Sequence, residues 1–419
     1  MTKDFNPRNK EDALKNAVIN SNMSEEDLLN IIEVMKNNEI IQKHPHSIWQ
    51  GKNGRHYTHI NDETMPEGRR KIAKSTVDAL HKAIVSNYKQ LEEKNDKRNL
   101  NLENLYEKWL IWRRDNGTDP NTIKADFYNW KRHLKYHPLS KKKICDITVI
   151  DLEDFFNDIT KNHAITFKML SNVRSVLSGI YQYALRENVV PHSIVFDLNY
   201  TQYRTRCKPS GSKKEIYTYD ELKAICNEVE KEDDVYSLAI AFSARNLFRI
   251  GETAVIKKTN VLQDKLLIEC SIRQRQNLND DLTFGPIYYD IEGRIKGNTS
   301  AGIRFVNLTP ETQEIAKKAM NLHPNGEYLF MQNGKPIYAA TFNEKLKEVC
   351  EKLKIKYRSS HQFRYTTATN LSNAGIPISE ISNDMGHSDV KQTYNYIRQQ
   401  EMSAQSKAIA NQVQDLKGH

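Results

Sequence analysis

Apolar side chains recur at helical spacing along most of this chain, and stretches with strand character are short and few. Residues 24–41 show this spacing behind Ser24, which can cap a helix, with Asp27 at the acidic position of a capping box. Two β-prone stretches then flank the Asn-Gly pair at positions 53–54, which favours a tight hairpin turn. An amphipathic pattern follows over residues 75–93. These residues therefore predict a helix, a small sheet and a second helix.

The next hundred residues have helical periodicity throughout. They predict four helices, at residues 102–116, 120–136, 151–162 and 165–188. The charged segment 92–98 in front of them has almost nothing to bury and indicates a domain boundary. Residues 201–215 combine proline, glycine and serine with basic side chains and predict a flexible linker. Beyond Tyr219 helices resume around a strand-rich middle, in which residues 293–308 predict a hairpin.

The fold class expected from these patterns is mostly α with small β-sheets, an α+β architecture. A chain of 419 residues exceeds one ordinary core, so several domains are expected. They are an N-terminal helix with a small sheet-and-helix domain, a helical domain, a linker, a larger mixed domain and an amphipathic tail helix. Their expected bounds are 1–97, 98–205, 206–216, 217–400 and 401–419.

The amino-acid composition indicates a polyanionic partner. Lys and Arg total 62 against 53 Asp and Glu, a formal net charge of +9, which favours nucleic acid, although many soluble proteins are mildly basic without binding it. The five cysteines are scattered singly, which argues against a disulfide framework or a structural zinc site. No apolar run is long enough for a membrane helix and the N-terminus lacks a signal-peptide core, so a cytoplasmic protein is expected.

Basic side chains of the helical region and the linker are candidates for phosphate contacts, because such charges supply sequence-independent affinity for DNA. A solvated helix face explains the helical ones nearly as well. The aromatic side chains among them are most simply explained as core residues: Trp109, Trp112, Trp130 and Tyr136. The basic candidates are Arg113, Arg114, Lys131, Arg132, Lys135, Arg204, Arg206, Lys213 and Lys214.

Five short motifs in the last 180 residues or so carry little information singly, and their order is informative. They are Arg249 with Glu252 in FRIGET, Lys296 in the predicted hairpin, His361 with Arg364 in HQFR, His387 after Gly386, and Tyr396. Transfer of a phosphodiester to a protein hydroxyl needs planar guanidinium groups for the charged transition state, and two arginines suit that task. A tyrosine nucleophile needs a base or electrostatic help, for which the two histidines are available. A lysine can protonate the departing DNA oxygen.

The region from about residue 219 to 400 resembles the catalytic domain of tyrosine recombinases, which include phage and conjugative-transposon integrases and bacterial chromosome-dimer resolvases. FRIGE is similar to the first-arginine motif, HQFR to the HxxR box, and Gly386-His387 to the GH motif. The resemblance implies that Tyr396 is the nucleophile, that Glu252 supports Arg249, and that the other five motif residues are catalytic: Arg249, Lys296, His361, Arg364 and His387. A neighbouring basic residue can replace Lys296, because the segment up to Arg304 is longer than the usual hairpin.

The resemblance also implies partners. A site-specific integrase would cleave and rejoin DNA through a 3'-phosphotyrosyl link without metal or ATP, as a homotetramer on two duplexes, with an accessory directionality factor possible in principle. The helical region is similar to the family's core-binding (SAM-like) domain, and residues 45–90 to a small domain that binds arm-type sites. The tail helix is expected to dock on a neighbouring protomer. A type IB topoisomerase and a non-catalytic DNA-binding regulator stay open as alternatives, as do the DNA target and the choice between integration and excision.

Overall fold

The computed structural model describes residues 24–62, 64–161, 164–209, 215–293, 302–387, 389–394 and 397. The chain divides into two compact units. The described residues of the first lie within Met1–Leu110, Tyr128–Ile165 and Met169–Cys207, and those of the second within Ile111–Phe127, Thr166–Lys168 and Lys208–His419.

The first unit begins with a helix and a small sheet, as the sequence predicts. Helix α1 (Glu25–Gln42) is capped by Ser24, whose side chain accepts a hydrogen bond from the backbone N–H of Asp27. Three antiparallel strands follow in the order β1-β2-β3, and helix α2 packs on them through Leu80 and Ile84. Their bounds are β1 (Trp49–Gln50), β2 (His56–Asn61), β3 (Arg69–Lys74) and α2 (Val77–Arg98).

Two details of this region were not predicted. The basic run before α2 forms the third strand, because Ile72 packs into the core between Ile60 and the helix while the arginines and lysines on either side stay exposed. The charged segment 92–98 is not a break in secondary structure but the exposed end of α2, which continues to Arg98. A helix can continue without burial where its residues have good helix propensity, as Glu and Lys do.

The four predicted helices of the next region are present as α3 (Leu102–Asp115), α4 (Pro120–His133), α5 (Val149–Thr160) and α6 (Phe167–Arg186). Trp109 and Trp130 are core residues as expected, each 3% exposed, and the Trp130 ring stacks on Tyr106 with centroids 4.0 Å apart. Trp112 is half-buried, and Tyr136 is exposed.

The predicted linker is wrong at its N-terminal end. Residues Tyr200–Arg206 form a 3-10 helix that belongs to the first unit, and Tyr203 and Cys207 are buried there. The Tyr203 ring stacks on Phe156 at 5.7 Å, so one aromatic anchor outweighs a composition typical of linkers. Residues 210–214 lie outside the described residues.

The second unit is built around a helix buried on all sides, α8 (Val235–Arg245). Four helices pack against it: α7 (Tyr219–Val229), α10 (Pro310–Leu322), α11 (Ala339–Lys352) and α12 (Ser360–Asn373). The remaining elements are α9 (Ile250–Thr253), β4 (Lys265–Ile268), β5 (Ser271–Arg275), β6 (Tyr288–Glu292), β7 (Arg304–Asn307), β8 (Met331–Gln332), β9 (Lys335–Pro336) and α13 (Ile378–Met385).

The hairpin predicted over residues 293–308 lies partly outside the described residues, and its second half forms strand β7. Strand β6, which ends just before this segment, pairs antiparallel with β5, whereas β7, which follows it, pairs antiparallel with β4. The two sides of the segment therefore belong to two different two-stranded sheets. Residues 294–301, which include Lys296, lie outside the described residues. The mostly α fold with small separate sheets that the sequence predicts is confirmed.

Candidate active site

Arg249 stands at the N-cap of the short helix α9, not at the end of the preceding helix, since α8 stops at Arg245. Its backbone N–H donates to Oε2 of Glu252 at 3.1 Å, and its Nη1 atom donates to Oε1 at 2.8 Å. The Glu252 side chain is wholly buried, while that of Arg249 is 29% exposed. The carboxylate thus holds a guanidinium that still reaches the surface.

Arg364 lies on α12 and is almost completely buried, with 1% exposure. Its Nη1 atom donates to the carbonyl oxygen of Leu247 at 2.8 Å and lies 3.9 Å from Oε2 of Glu252. Its Nη2 atom donates to the carbonyl oxygen of Met385 at 2.5 Å and lies 2.9 Å from Nε2 of His387. One guanidinium therefore connects the first-arginine motif with the GH motif, and Arg249 and Arg364 meet at the same carboxylate.

A third arginine, Arg304 on β7, joins this cluster, and sequence reasoning did not assign it a role. Its Nη2 atom donates to Oε2 of Glu252 at 2.9 Å, and its Nε atom donates to the carbonyl oxygen of Asp384 at 2.7 Å. The side chain is 8% exposed. The only signal in the sequence was a charged residue between Ile303 and Phe305, in an otherwise apolar strand pattern.

The electrostatics of the cluster follow from burial and from these contacts. Burial has the largest single effect on the pKa of Glu252 and raises it, but Arg304, Arg364 and Arg249 together outweigh it, so the pKa is lowered and the group is ionised. Burial, and then the charge of Arg249, lowers the pKa of Arg364 to about 9, which leaves it charged at neutral pH. Burial, followed by Arg364, lowers the pKa of His387 to about 4, so its ring is neutral at neutral pH.

Three guanidinium groups around one carboxylate leave a surplus of positive charge in a largely buried site. Such a surplus is best balanced by an anion, and a phosphate matches the planar fork of arginine. Arg249 is the member of the cluster with the most exposed side chain, so it offers the first contact to an anion arriving from solvent. The arrangement can bind and stabilise a phosphoryl group.

The remaining motif residues are placed only in part. His361 is exposed in the first turn of α12, three residues before Arg364, and its ring lies 4.4 Å from that of Tyr365. Lys296 and Tyr396 lie outside the described residues. Tyr394, two residues before Tyr396, is 45% exposed. The structure thus brings Arg249, Glu252, Arg364 and His387 together.

The predicted phosphate contacts of the helical region fall into two groups. Arg113 pairs with Asp126, and Arg114 lies 2.8 Å from both Asp115 and Asp280, so carboxylates already neutralise these two. The other described candidates are exposed at the surface of the first unit: Lys131, Arg132, Lys135, Arg204 and Arg206. Lys213 and Lys214 lie outside the described residues.

A second basic surface covers the small sheet. The rings of Trp49 and Tyr57 stack at 5.8 Å, and Nζ of Lys71 lies 4.7 Å from the Tyr57 centroid and 5.3 Å from that of Trp49. His59 pairs with Lys71 across the strands, so it shares this face. The sequence signal for this face was the alternation of side chains in HYTHI, residues 56–60. Thr58 and Ile60 are buried, and they alternate with Tyr57 and His59.

Two general observations complete the survey of the described residues. None of their helices is both long and apolar enough to span a membrane. Nor do three or more of their His, Cys, Asp or Glu side chains group as metal ligands would.

Comparison with known proteins agrees with this geometry. Residues 215–402 match the phage integrase family. A probable integrase of prophage ps2 from Lactococcus lactis subsp. lactis is 25% identical over 275 residues, which cover 59% of this chain and 66%, just under two thirds, of that protein. The structure of the Tn1549 transposon integrase with transposon right end DNA has a TM-score of 0.57 at 16% identity, covering 73% of this chain and all of that one.

A lambda integrase tetramer bound to a Holliday junction has a TM-score of 0.50 at 14% identity, covering 83% of this chain and 97% of that one. The part of the chain that holds the arginine cluster is therefore the part that is similar to the phage integrase family.

Proposed function

We propose that this chain is a site-specific tyrosine recombinase, which integrates or excises a mobile element through a covalent 3'-phosphotyrosyl intermediate with Tyr396 as the nucleophile. The observation that carries the proposal is the meeting of Arg249 and Arg364 at the Glu252 carboxylate, with His387 bonded to Arg364. That arrangement supplies two guanidinium forks and a neutral imidazole for a single phosphate. The prophage and transposon proteins to which the chain is similar support a mobile-element substrate.

The proposed reaction has two balanced steps. The Tyr396 oxygen bonds to the scissile phosphorus as its proton passes to a base, and the bond to the 5'-oxygen of the DNA breaks. The departing 5'-oxygen takes a proton from Lys296 or a neighbouring basic residue. In the reverse chemistry, a 5'-hydroxyl of the partner strand attacks the phosphotyrosyl link and the phenol leaves. Arg249 and Arg364 neutralise the added charge on the non-bridging oxygens in both steps.

Arg304 is a positioning residue in this proposal. Its guanidinium donates hydrogen bonds to the Glu252 carboxylate and to the carbonyl oxygen of Asp384. It therefore fixes the carboxylate that orients Arg249 and Arg364, and it is too buried to replace Lys296 at the DNA.

The wider assembly is proposed as follows. Residues 98–205 form the core-binding domain, whose exposed Lys131, Arg132, Lys135 and Arg204 contact phosphates, and residues 217–400 form the catalytic domain. The Trp49, Tyr57 and Lys71 face of the small sheet, within residues 1–97, binds arm-type sites, since a sheet can dock in a DNA groove. By analogy with the lambda integrase tetramer, four protomers act on two duplexes at the nucleoid, with an accessory factor that sets direction.

A nicked suicide substrate tests the nucleophile. The duplex carries the ends of the element in which the gene lies, so that cleavage traps the covalent adduct. We expect Tyr396→Phe to bind this DNA like the unchanged protein and to form no adduct, while the matched control Tyr394→Phe forms it normally. An adduct that persists in Tyr396→Phe would refute the assignment. Relaxation of plasmids that lack these ends would favour a topoisomerase instead.

A further inference from the structure

A chain of hydrogen bonds leads from the arginine cluster to a threonine that lies close to the nucleophile in sequence. Nη2 of Arg364 lies 2.9 Å from Nε2 of His387, and Nδ1 of His387 lies 2.7 Å from Oγ1 of Thr393. The Thr393 hydroxyl in turn points to the sulfur of Met385 at 3.9 Å. Thr393 is 1% exposed and belongs to the helical residues 390–394.

The direction of every bond in this chain is fixed by its first member. A guanidinium carries only donors, so Nε2 of His387 must accept from Arg364. A neutral imidazole with an accepting Nε2 carries its proton on Nδ1, which then donates to Thr393. The threonine hydroxyl accepts that proton and directs its own toward Met385. Arg364 thereby fixes the tautomer of His387, and Thr393 supplies the acceptor for its Nδ1–H, which holds the ring in one orientation.

We propose that Thr393 is a positioning residue of the recombinase, which holds the His387 ring in the orientation that binds Arg364 and ties this pair to the segment that carries Tyr396. The inference rests on the proposed function, because it takes Tyr396, three residues after Thr393, as the nucleophile. The threonine therefore fixes the start of the nucleophile segment relative to the phosphate-binding arginine.

This arrangement separates the tasks of the two histidines. The lone pair of His387 is engaged by Arg364, so in this state His387 serves as an acceptor that orients the arginine and does not take the tyrosine proton. The charged groups that face it are Arg364, Arg249, Arg304 and Glu252, and their combined charge opposes protonation. His361, exposed on α12, is the other histidine of these motifs.

A purely packing role for Thr393 makes a different prediction. Valine has nearly the same shape as threonine, so it would fill the same space and leave the reaction unaffected if only packing mattered. Serine keeps the hydroxyl and loses a methyl group. Thr369 offers a matched control, since it is also buried, and its hydroxyl bonds only to the Tyr365 carbonyl oxygen of its own helix.

The experiment compares full-length Thr393→Val, Thr393→Ser and Thr369→Val in single-turnover cleavage and in DNA binding. We expect Thr393→Val to cleave about tenfold more slowly with an unchanged Kd, because one oriented hydrogen bond is lost, and Thr393→Ser and Thr369→Val to stay within about threefold of the unchanged protein. Cleavage by Thr393→Val at the normal rate, or equal loss in Thr393→Val and Thr393→Ser, would overturn the proposal.

A second measurement needs no cleavage assay and no DNA. The ¹⁵N shifts of the His387 imidazole, assigned by comparison with His387→Gln, report its tautomer in the free protein. We expect protonated Nδ1 in the unchanged protein and a changed Nδ1 shift in Thr393→Val, because that N–H loses its acceptor. Protonated Nε2 in the unchanged protein contradicts the role of Thr393 whatever the nucleophile is, whereas an adduct formed by Tyr396→Phe would contradict only the proposed function.

Discussion

Nη2 of Arg304 donates to Oε2 of Glu252 across 2.9 Å, although the two residues are 52 positions apart. This buried ion pair joins strand β7 to the short helix α9, where Arg249 stands at the N-cap. The same guanidinium binds the carbonyl oxygen of Asp384, two residues before Gly386. The first-arginine motif and the GH motif are therefore held by one side chain that neither motif contains.

Replacement of Arg304 by lysine tests this bridge. The lysine ammonium keeps the charge but cannot reach both Glu252 and the Asp384 carbonyl with a rigid fork, so we expect Arg304→Lys to cleave at least about tenfold more slowly, with DNA affinity little changed. Suicide-substrate cleavage and a binding titration measure the two quantities. Arg186→Lys, at the surface of the first unit, is the control. A normal cleavage rate in Arg304→Lys would show that the bridge is dispensable.

Replacement of Glu252 tests the shared carboxylate. Glu252→Gln leaves three guanidinium groups without their common counter-charge in a buried site, and removal of one partner of such a network costs about 3–5 kcal/mol. We therefore expect the urea midpoint for unfolding of the second unit to be clearly lower, and cleavage to be lost. Glu187→Gln, an exposed pair with Arg186, controls for loss of a surface charge. Equal midpoints in the two variants would contradict a structural role for Glu252.

Replacement of Arg249 separates charge from geometry. Arg249→Lys retains a cation next to Glu252 but loses the planar fork that matches a phosphate, so we expect cleavage to fall about a hundredfold. Single-turnover rates measure this at saturating protein. The binding constant for intact DNA should change much less, because many phosphate contacts contribute to affinity. A parallel loss of binding and cleavage would mean that Arg249 contributes ground-state affinity alone.

The pH dependence of stability should show the depressed pKa of His387. Its pKa falls from 6.5 to about 4 on folding, so between these values the unfolded chain binds the extra proton and stability decreases as the pH is lowered. The lowered pKa of Glu252 acts in the same direction but below pH 4.5. We expect the urea midpoint of His387→Gln to fall less than that of the unchanged protein between pH 7 and pH 5. His44 and His133, whose pKa values are also lowered, are present in both and cancel.

The small sheet provides a prediction that is independent of the chemistry. Lys71→Ala removes the ammonium group above Tyr57 and Trp49, and we expect weaker binding to arm-type DNA, a smaller salt dependence and unchanged cleavage of a core-site suicide substrate. Lys82→Ala, on the exposed side of α2, is the matched control. Equal affinity in the two variants would remove Lys71 from the proposed arm-type surface.

Local patterns predicted much of this structure, because helix periodicity and capping are encoded by neighbouring residues. Ser24 and the four helices of the middle region are examples. Pairing between distant strands is different, since alternation in β7 shows that it is a strand but not that β4 is its partner. The role of Arg304 depends on that pairing and was out of reach for the same reason. The anchoring of Tyr203 on Phe156 likewise depends on a contact between distant residues.

The separate pairing of β6 and β7 bears on how this segment can change in length. Strand β6 pairs with β5 and strand β7 with β4, so neither ladder depends on the length of chain between Glu292 and Arg304. Insertions or deletions there would shift no strand register, so natural variants can differ in this stretch while both sheets stay intact. The length of this connection is thus free to diverge among relatives independently of the folded scaffold.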